Sequence, residues 1–303
     1  MFVITHRYIF LGLSLLFVLV SLGVIVFGGL RFGVDFTGGS ILEVEYTNER
    51  PAVEALQTQM KETDFTGFLL QPTGEKGLIV RTETLSEEGH ANLIKILAMD
   101  NQSPLTERRF SFVGGIVGKE LQGKAWVAFV IISIAIILYV AFAFRRASEA
   151  LSSWAYGVVA VLALFHNVVV PTGVFAILGQ YFIEYQIDIL FVTALLAIFG
   201  FSINDTIVIF DRVRENVQSD KEDKTKKSFA VIVGESISQT LARSINISLA
   251  MVLVLASLYF LGGESTREFS LVLGLGVVFG TYSSICFAAP LLVVIGERKG
   301  NRS

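Results

Sequence analysis

The stretch AWVAFVIISIAIILYVAFAF, Ala125–Phe144, runs for twenty residues without a charge. At about 1.5 Å per residue, a helix of that length covers the ~30 Å hydrocarbon core of a bilayer. The rest of the chain agrees. Of its 303 residues 53% are hydrophobic and only 17% are charged, with a mean hydropathy of +0.65. Soluble domains carry about a quarter charged residues, so lipid is the solvent this composition suits. The chain reads as an integral membrane protein.

Outward from that stretch, five more segments have the length and apolarity of spans. The six are 8–28, 125–144, 154–178, 189–211, 237–261 and 268–295, found with a window of about 19 residues. The first is too long for the ~7–15-residue apolar core of a signal peptide and no A-x-A site follows it, so an uncleaved anchor is expected. Arg145 and Arg146 follow span two, and Arg212, Arg214, Lys221, Lys224, Lys226 and Lys227 follow span four. Arg298, Lys299 and Arg302 follow span six, whereas the loop after span three has no Lys or Arg and the loop after span five only Arg267. This bias assigns both termini to the cytoplasm. The two tryptophans, Trp126 and Trp154, fall at expected membrane interfaces.

Residues 29–124 separate spans one and two and are long enough for a folded extracytoplasmic domain. Leu42, Val44 and Tyr46 alternate with Glu43 and Glu45, the period of a half-buried strand. Pro51 opens a helical stretch with Val53, Leu56 and Met60 on one face. Gly67–Gln71 and Gly77–Thr82 read as strands separated by Pro72, Thr73 and Gly74. Ser86 caps a second helix with Ile94, Leu97 and Ala98 inward, and Phe110 and Phe112 mark a last strand. The order β-α-β-β-α-β predicts a ferredoxin-like insertion. The expected fold is therefore an α-helical membrane protein: six transmembrane helices with an inserted α+β ferredoxin-like extracytoplasmic domain.

Several function classes find no support. With 24 basic against 27 acidic residues, the chain has no polyanion-binding signature, so no nucleic acid partner is expected. Cys286 is the only cysteine, which excludes an intrachain disulfide and a cysteine metal cluster. The run Gly114-Gly115-Ile116-Val117-Gly118-Lys119 superficially suggests a phosphate loop, but Val113 stands where the first glycine belongs and Glu120 replaces the magnesium-binding hydroxyl. His6, His90 and His166 are too scattered for a metal site. No cofactor is implied, no nucleophile–base motif is present, and the chain is not expected to be an enzyme.

The informative feature is charge at depth. Asp205 lies about 10 Å inside the cytoplasmic face, counted from Arg212, and Arg243 about 12 Å inside, counted from Glu235 on the antiparallel span. Either charge alone near a span centre costs at least ~2.5–3.5 kcal/mol, so pairing is expected. Ser202 and Thr206 share the face of Asp205 with Asn204 beside it, while Ser236, Gln239, Thr240, Arg243, Ser244 and Ser248 follow one face of span five. Two facing polar stripes can hold water, and therefore protons, away from lipid. The plainer alternative is a fixed ion pair that clamps two helices. Burial and a neighbouring guanidinium act on a carboxyl in opposite directions, so small changes in geometry or hydration can switch its protonation. His166 reads first as a helix-to-helix hydrogen-bonding group, and Gly276 with Gly280 as a close helix contact.

Four ordered motifs resemble a known family. Arg31-Phe32-Gly33-Val34-Asp35-Phe36-Thr37-Gly38-Gly39-Ser40 is similar to the opening of the outer domain in the SecF family. Phe201-Ser202-Ile203-Asn204-Asp205-Thr206, continuing to Asp211-Arg212-Val213-Arg214-Glu215-Asn216, resembles its fourth-span motif. Gln239-Thr240-Leu241-Ala242-Arg243-Ser244-Ile245-Asn246 and Gly280-Thr281-Tyr282-Ser283-Ser284 resemble the fifth and sixth. The resemblance implies a subunit of the bacterial Sec translocase in the inner membrane that pairs with SecD and works with the SecYEG channel. It would use the proton gradient to assist the translocating polypeptide, with Asp205 and Arg243 as proton-relay residues. In that scheme the outer domain moves through its tethers in spans one and two. Two departures are visible: His166 is followed by Asn167 where the family has an acid, and Gly114 and Gly115 lie where proline is common. A half-unit of a proton-driven exporter of small molecules, of the RND type the family resembles, is the alternative.

Overall fold

A computed structural model describes residues 2–63, 67–99, 102–143, 153–182 and 185–300. Arg145, Arg146 and Arg302, which the orientation argument uses, lie outside them. The chain divides into two compact units. One holds the segments Arg31–Val127 and Gln186–Ile189; the other holds the chain up to Leu30, Ala128–Tyr185 and the part from Leu190 onward.

The membrane unit opens with α1 (Phe2–Thr5) and α2 (Arg7–Gly23), the latter continued by a π-helical turn, Val24–Gly28. In the smaller unit, α3 (Val34–Thr37) leads to β1 (Gly39–Tyr46), α4 (Val53–Lys61), β2 (Leu69–Thr73), β3 (Gly77–Thr82), α5 (Glu87–Leu97) and β4 (Leu105–Val113). The long helices follow: α6 (Gly115–Ala143), α7 (Ser153–Tyr181), α8 (Ile189–Asp223), α9 (Phe229–Leu261) and α10 (Glu264–Ser283). A second π-turn, Ser284–Ala288, joins α10 to α11 (Ala289–Gly300). Among the described residues six helices are long and apolar enough to cross a membrane.

The smaller unit carries the β-α-β-β-α-β order in an antiparallel sheet ordered β2-β3-β1-β4, the split arrangement of a ferredoxin-like fold. Leu42, Val44, Leu78 and Val80 present one sheet face to Leu56 and Met60 of α4 and to Leu93 and Leu97 of α5. Ser86 caps α5, its Oγ accepting from the Gly89 N–H at 3.1 Å. Pro72 is a correction: it lies inside β2, opposite Leu78, and not in a turn. β2 is an edge strand, where a residue without an N–H breaks no ladder.

In the membrane unit the helices overrun their apolar segments. α8 continues to Asp223 and α9 begins at Phe229, where hydropathy alone ends the spans at 211 and begins the next at 237. Asp211, the last residue of the expected fourth span, pairs on the helix with Arg214 at 2.8 Å. α6 likewise starts at Gly115, ten residues before the uncharged run. Below the site, Ile209, Val213 and Val217 of α8 pack with Ile232, Val233 and Ile237 of α9, Ile4 of α1 and Val293 of α11. Of the glycine pair of the last span, Gly276 serves the close contact expected, whereas Gly280 has room for a Cβ beside Ser202. A Cβ on Gly276 would fall 2.1 Å from the Ile198 side chain of α8. The second π-turn ends two residues before Pro290, whose ring has no N–H to donate and crowds the carbonyl of Cys286, four residues back inside the turn.

Candidate functional site

Asp205 lies halfway along α8 and is 8% exposed. Its Oδ1 accepts from the Ser244 hydroxyl of α9 at 2.5 Å, and its Oδ2 has no hydrogen-bond partner among the described residues. The expected ion pair with Arg243 is a correction. Among the described residues Arg243 forms no ion pair, and it is exposed. The reason is helical phase: neighbouring residues lie about 100° apart around the axis. Ser236, Thr240, Ser244 and Ser248, spaced by four, form the buried stripe of α9. Gln239, Arg243 and Asn246 form a second, exposed stripe beside it. Depth arithmetic locates the level of the acid and the base but not which of two adjacent stripes faces inward.

Around the carboxyl a polar set links four helices. The Asn167 amide of α7 donates to the Ser202 hydroxyl, and the Asn167 Oδ1 stands 3.0 Å from Nδ1 of His166. Thr206 donates to the Ser202 carbonyl at 3.1 Å and shares a 2.8 Å hydrogen bond with Ser284 in the second π-turn. Ser248 and Thr281 share a further one at 2.5 Å. Ser202, Thr206, His166, Asn167 and Ser284 are all buried. The ring of His166 lies against Phe287 and Tyr282. π-turns occur often at functional positions, and here one supplies a hydroxyl to the site.

The remaining expected site residues lie elsewhere. Asn204 is exposed, one position off the buried face. Gln239 is exposed and accepts at 3.0 Å from Asn216, which also donates to Ser236 at 2.8 Å. Thr240 is buried, but its hydroxyl bonds back to the Ser236 carbonyl at 2.9 Å and not to the acid. Ser284, Thr281 and Asn167 were not on the expected site. Hydroxyls on a three- or four-residue spacing within apolar helices, as in Thr281 with Ser284, are the signal that could have found them.

A six-span, multi-pass membrane protein with one ferredoxin-like insertion and a buried acid between its fourth and fifth spans is the class these observations define. Two family descriptions match the chain: "Protein export membrane protein SecD/SecF, C-terminal" over residues 94–298 and "SecD/SecF GG Motif" over residues 23–49. The Protein translocase subunit SecF of Thermobaculum terrenum is 38% identical, with 98% of this chain and 94% of that protein covered. The SecF subunit of Anaerolinea thermophila is 37% identical, covering 96% and 93%. A crystal structure of SecDF, a translocon-associated membrane protein from Thermus thermophilus, superposes with a TM-score of 0.83 at 31% identity. It matches 98% of this chain, which spans 38% of that longer one. The chain belongs to the SecF family of protein translocase subunits.

Proposed function

We propose that the chain is a non-enzymatic subunit of the bacterial Sec translocase that couples the proton-motive force to polypeptide export. It lies in the inner membrane with both termini in the cytoplasm and its ferredoxin-like domain outside. It pairs with SecD and works with the SecYEG channel on the translocating polypeptide. Asp205 takes up and releases the proton; Ser202, Thr206, Asn167 and Ser284 carry polar contacts around it.

The observation that carries this reading is the state of the carboxyl. A buried acid with one oxygen on Ser244 and the other without a partner has an open position for a proton. Ionised, it is a desolvated charge beside hydroxyls; protonated, it gains a donor and needs a new acceptor. The two states favour different contacts between α8 and α9, which is the requirement for coupling protonation to movement. Arg243, one residue from Ser244 and without an ion pair among the described residues, is a charge the membrane tolerates only with a counter-charge or water beside it. That supports a second chain covering this side of α9, and SecD is the partner the family supplies.

The test compares Asp205→Asn with the unmodified chain for export in vivo at equal membrane abundance. A severe export loss is expected; unchanged export contradicts the proton role. Against a small-molecule exporter, copurification distinguishes SecD and the channel from periplasmic adaptor proteins.

A further inference from the structure

The proton-driven reading leaves open how a change at Asp205 reaches the outer domain. Spans one and two are the obvious tethers, but the structure contains a third. The loop before the fourth span, Gln186–Ile189, belongs to the same unit as the outer domain. It is held by the motif that opens that domain. The Ile187 N–H donates to the Arg31 carbonyl at 2.7 Å, and the Gly33 N–H donates to the Ile187 carbonyl at 2.8 Å. Together they make a parallel bridge between Phe32 and Ile187. A Cβ on Gly33 would stand 3.2 Å from that of Asp188, so a side chain there would crowd the approach.

The third bond goes to the helix itself. Asp35 Oδ2 accepts from the N–H of Ile189 at 3.1 Å, and Ile189 is the first residue of α8. The free N–H groups and positive end of a helix favour a carboxylate there. Asp188 immediately precedes α8 in the chain, so Asp35 adds a bond across segments to a helix start that has its own local acid. The same motif also packs on the beginning of α6. A Cβ on Gly38 would lie 2.6 Å from Gly115, and one on Gly118 would lie 2.9 Å from the Phe36 carbonyl. Residues 31–38 thus gather the starts of α6 and α8.

We propose that Asp35 is a positioning residue that fastens the outer end of α8 to the base of the ferredoxin-like domain, so that a shift of α8 on protonation of Asp205 is passed to that domain through residues 31–35. The helix that carries the acid is thereby latched to the part that moves. The proposal rests on the proton-coupled reading, because only then does α8 have a movement to transmit.

The test uses cells whose only copy is the full-length chain with Cys286 replaced by serine, at equal membrane abundance. Asn at position 35 keeps an acceptor oxygen and is a good helix cap; Asp35→Asn is expected to export as the parent does. Asp35→Ala removes the bond, and its export is expected to fall several-fold. Hydrogen exchange of the first turn of α8 should rise about five-fold in the same variant, the effect of losing one cap. Cysteines replacing Phe32 and Ile187 face each other across the bridge, within the Cα separation a disulfide spans. Added to Asp35→Ala, they should restore export when oxidised with diamide and lose it again on reduction, a response that a general folding defect would not give. Normal export by Asp35→Ala, in cells where Asp205→Asn is defective, overturns the tether and leaves the proton reading intact. So does a disulfide that forms without restoring export. If Asp205→Asn itself exports normally, the proton reading fails, while the exchange measurement still reports whether Asp35 holds the helix start.

Discussion

Asp205 and Ser244 face each other across α8 and α9, and the geometry at this one contact sets what the site can do. The hydroxyl is the only described donor to the carboxyl, so Ser244→Ala leaves a buried acid with neither oxygen partnered. Such a loss costs about 1–3 kcal/mol for a buried polar group. In Asp205→Asn the same serine change should cost less, because the amide is neutral and carries its own donors. A double-mutant cycle on thermal unfolding of the full chain in lipid nanodiscs is expected to give a coupling of about 1 kcal/mol; additive effects would place the serine outside the acid's influence. The acid was legible in the sequence because a charge in an apolar helix stands out. The partner was not, because Arg243 and Ser244 differ by one residue, and which of them turns inward depends on how α9 is rotated against α8.

Among the elements, β1 and α5 are joined by Tyr46, whose hydroxyl donates to the Leu97 carbonyl at 3.0 Å while its ring fills the sheet–helix core. Burial pushes its phenol up to about 12 from an ordinary 10. A folded pKa above the unfolded one gives stability that is complete below pH 10 and is lost as the pH rises toward 12. The outer domain is therefore expected to loosen over that window, and Tyr46→Phe to abolish that part of the dependence while costing about 1 kcal/mol at neutral pH. The tyrosinate absorbance difference between the two proteins checks it: a titration near 10 for Tyr46 would contradict the packing account. The domain's element order was readable because Leu42, Val44 and Tyr46 alternate with acids and Ser86 announces a helix. Pro72 belongs to a strand although its residue type suggests a turn, because the sequence does not reveal that β2 lies at the sheet edge. The span ends differ for another reason: hydropathy registers where the apolar run ends, whereas α8 and α9 continue as helices through polar residues beyond it.

Across the whole molecule, the sequence displays six spans and one inserted domain because each is a local pattern of apolar residues. The pairing of residues 31–35 with 186–189 is invisible to that reading. It joins segments more than 150 residues apart, as the Asp35–Ile189 contact does, and four residues carry no periodicity to announce a role. The same limit hid Ser284 and Asn167, which become part of the site only when α7 and the second π-turn meet α8. In the proposed account Asp205 of α8 takes up the proton, and the first residue of the same helix is bonded to Asp35 at the base of the ferredoxin-like domain. Infrared difference spectroscopy on the full chain reconstituted with its partner, comparing acidic with alkaline medium, tests this most directly. A protonated-carboxyl band that grows on acidification and is missing in Asp205→Asn is the predicted result. An identical response from both proteins would show that Asp205 holds one protonation state throughout, and would contradict the account.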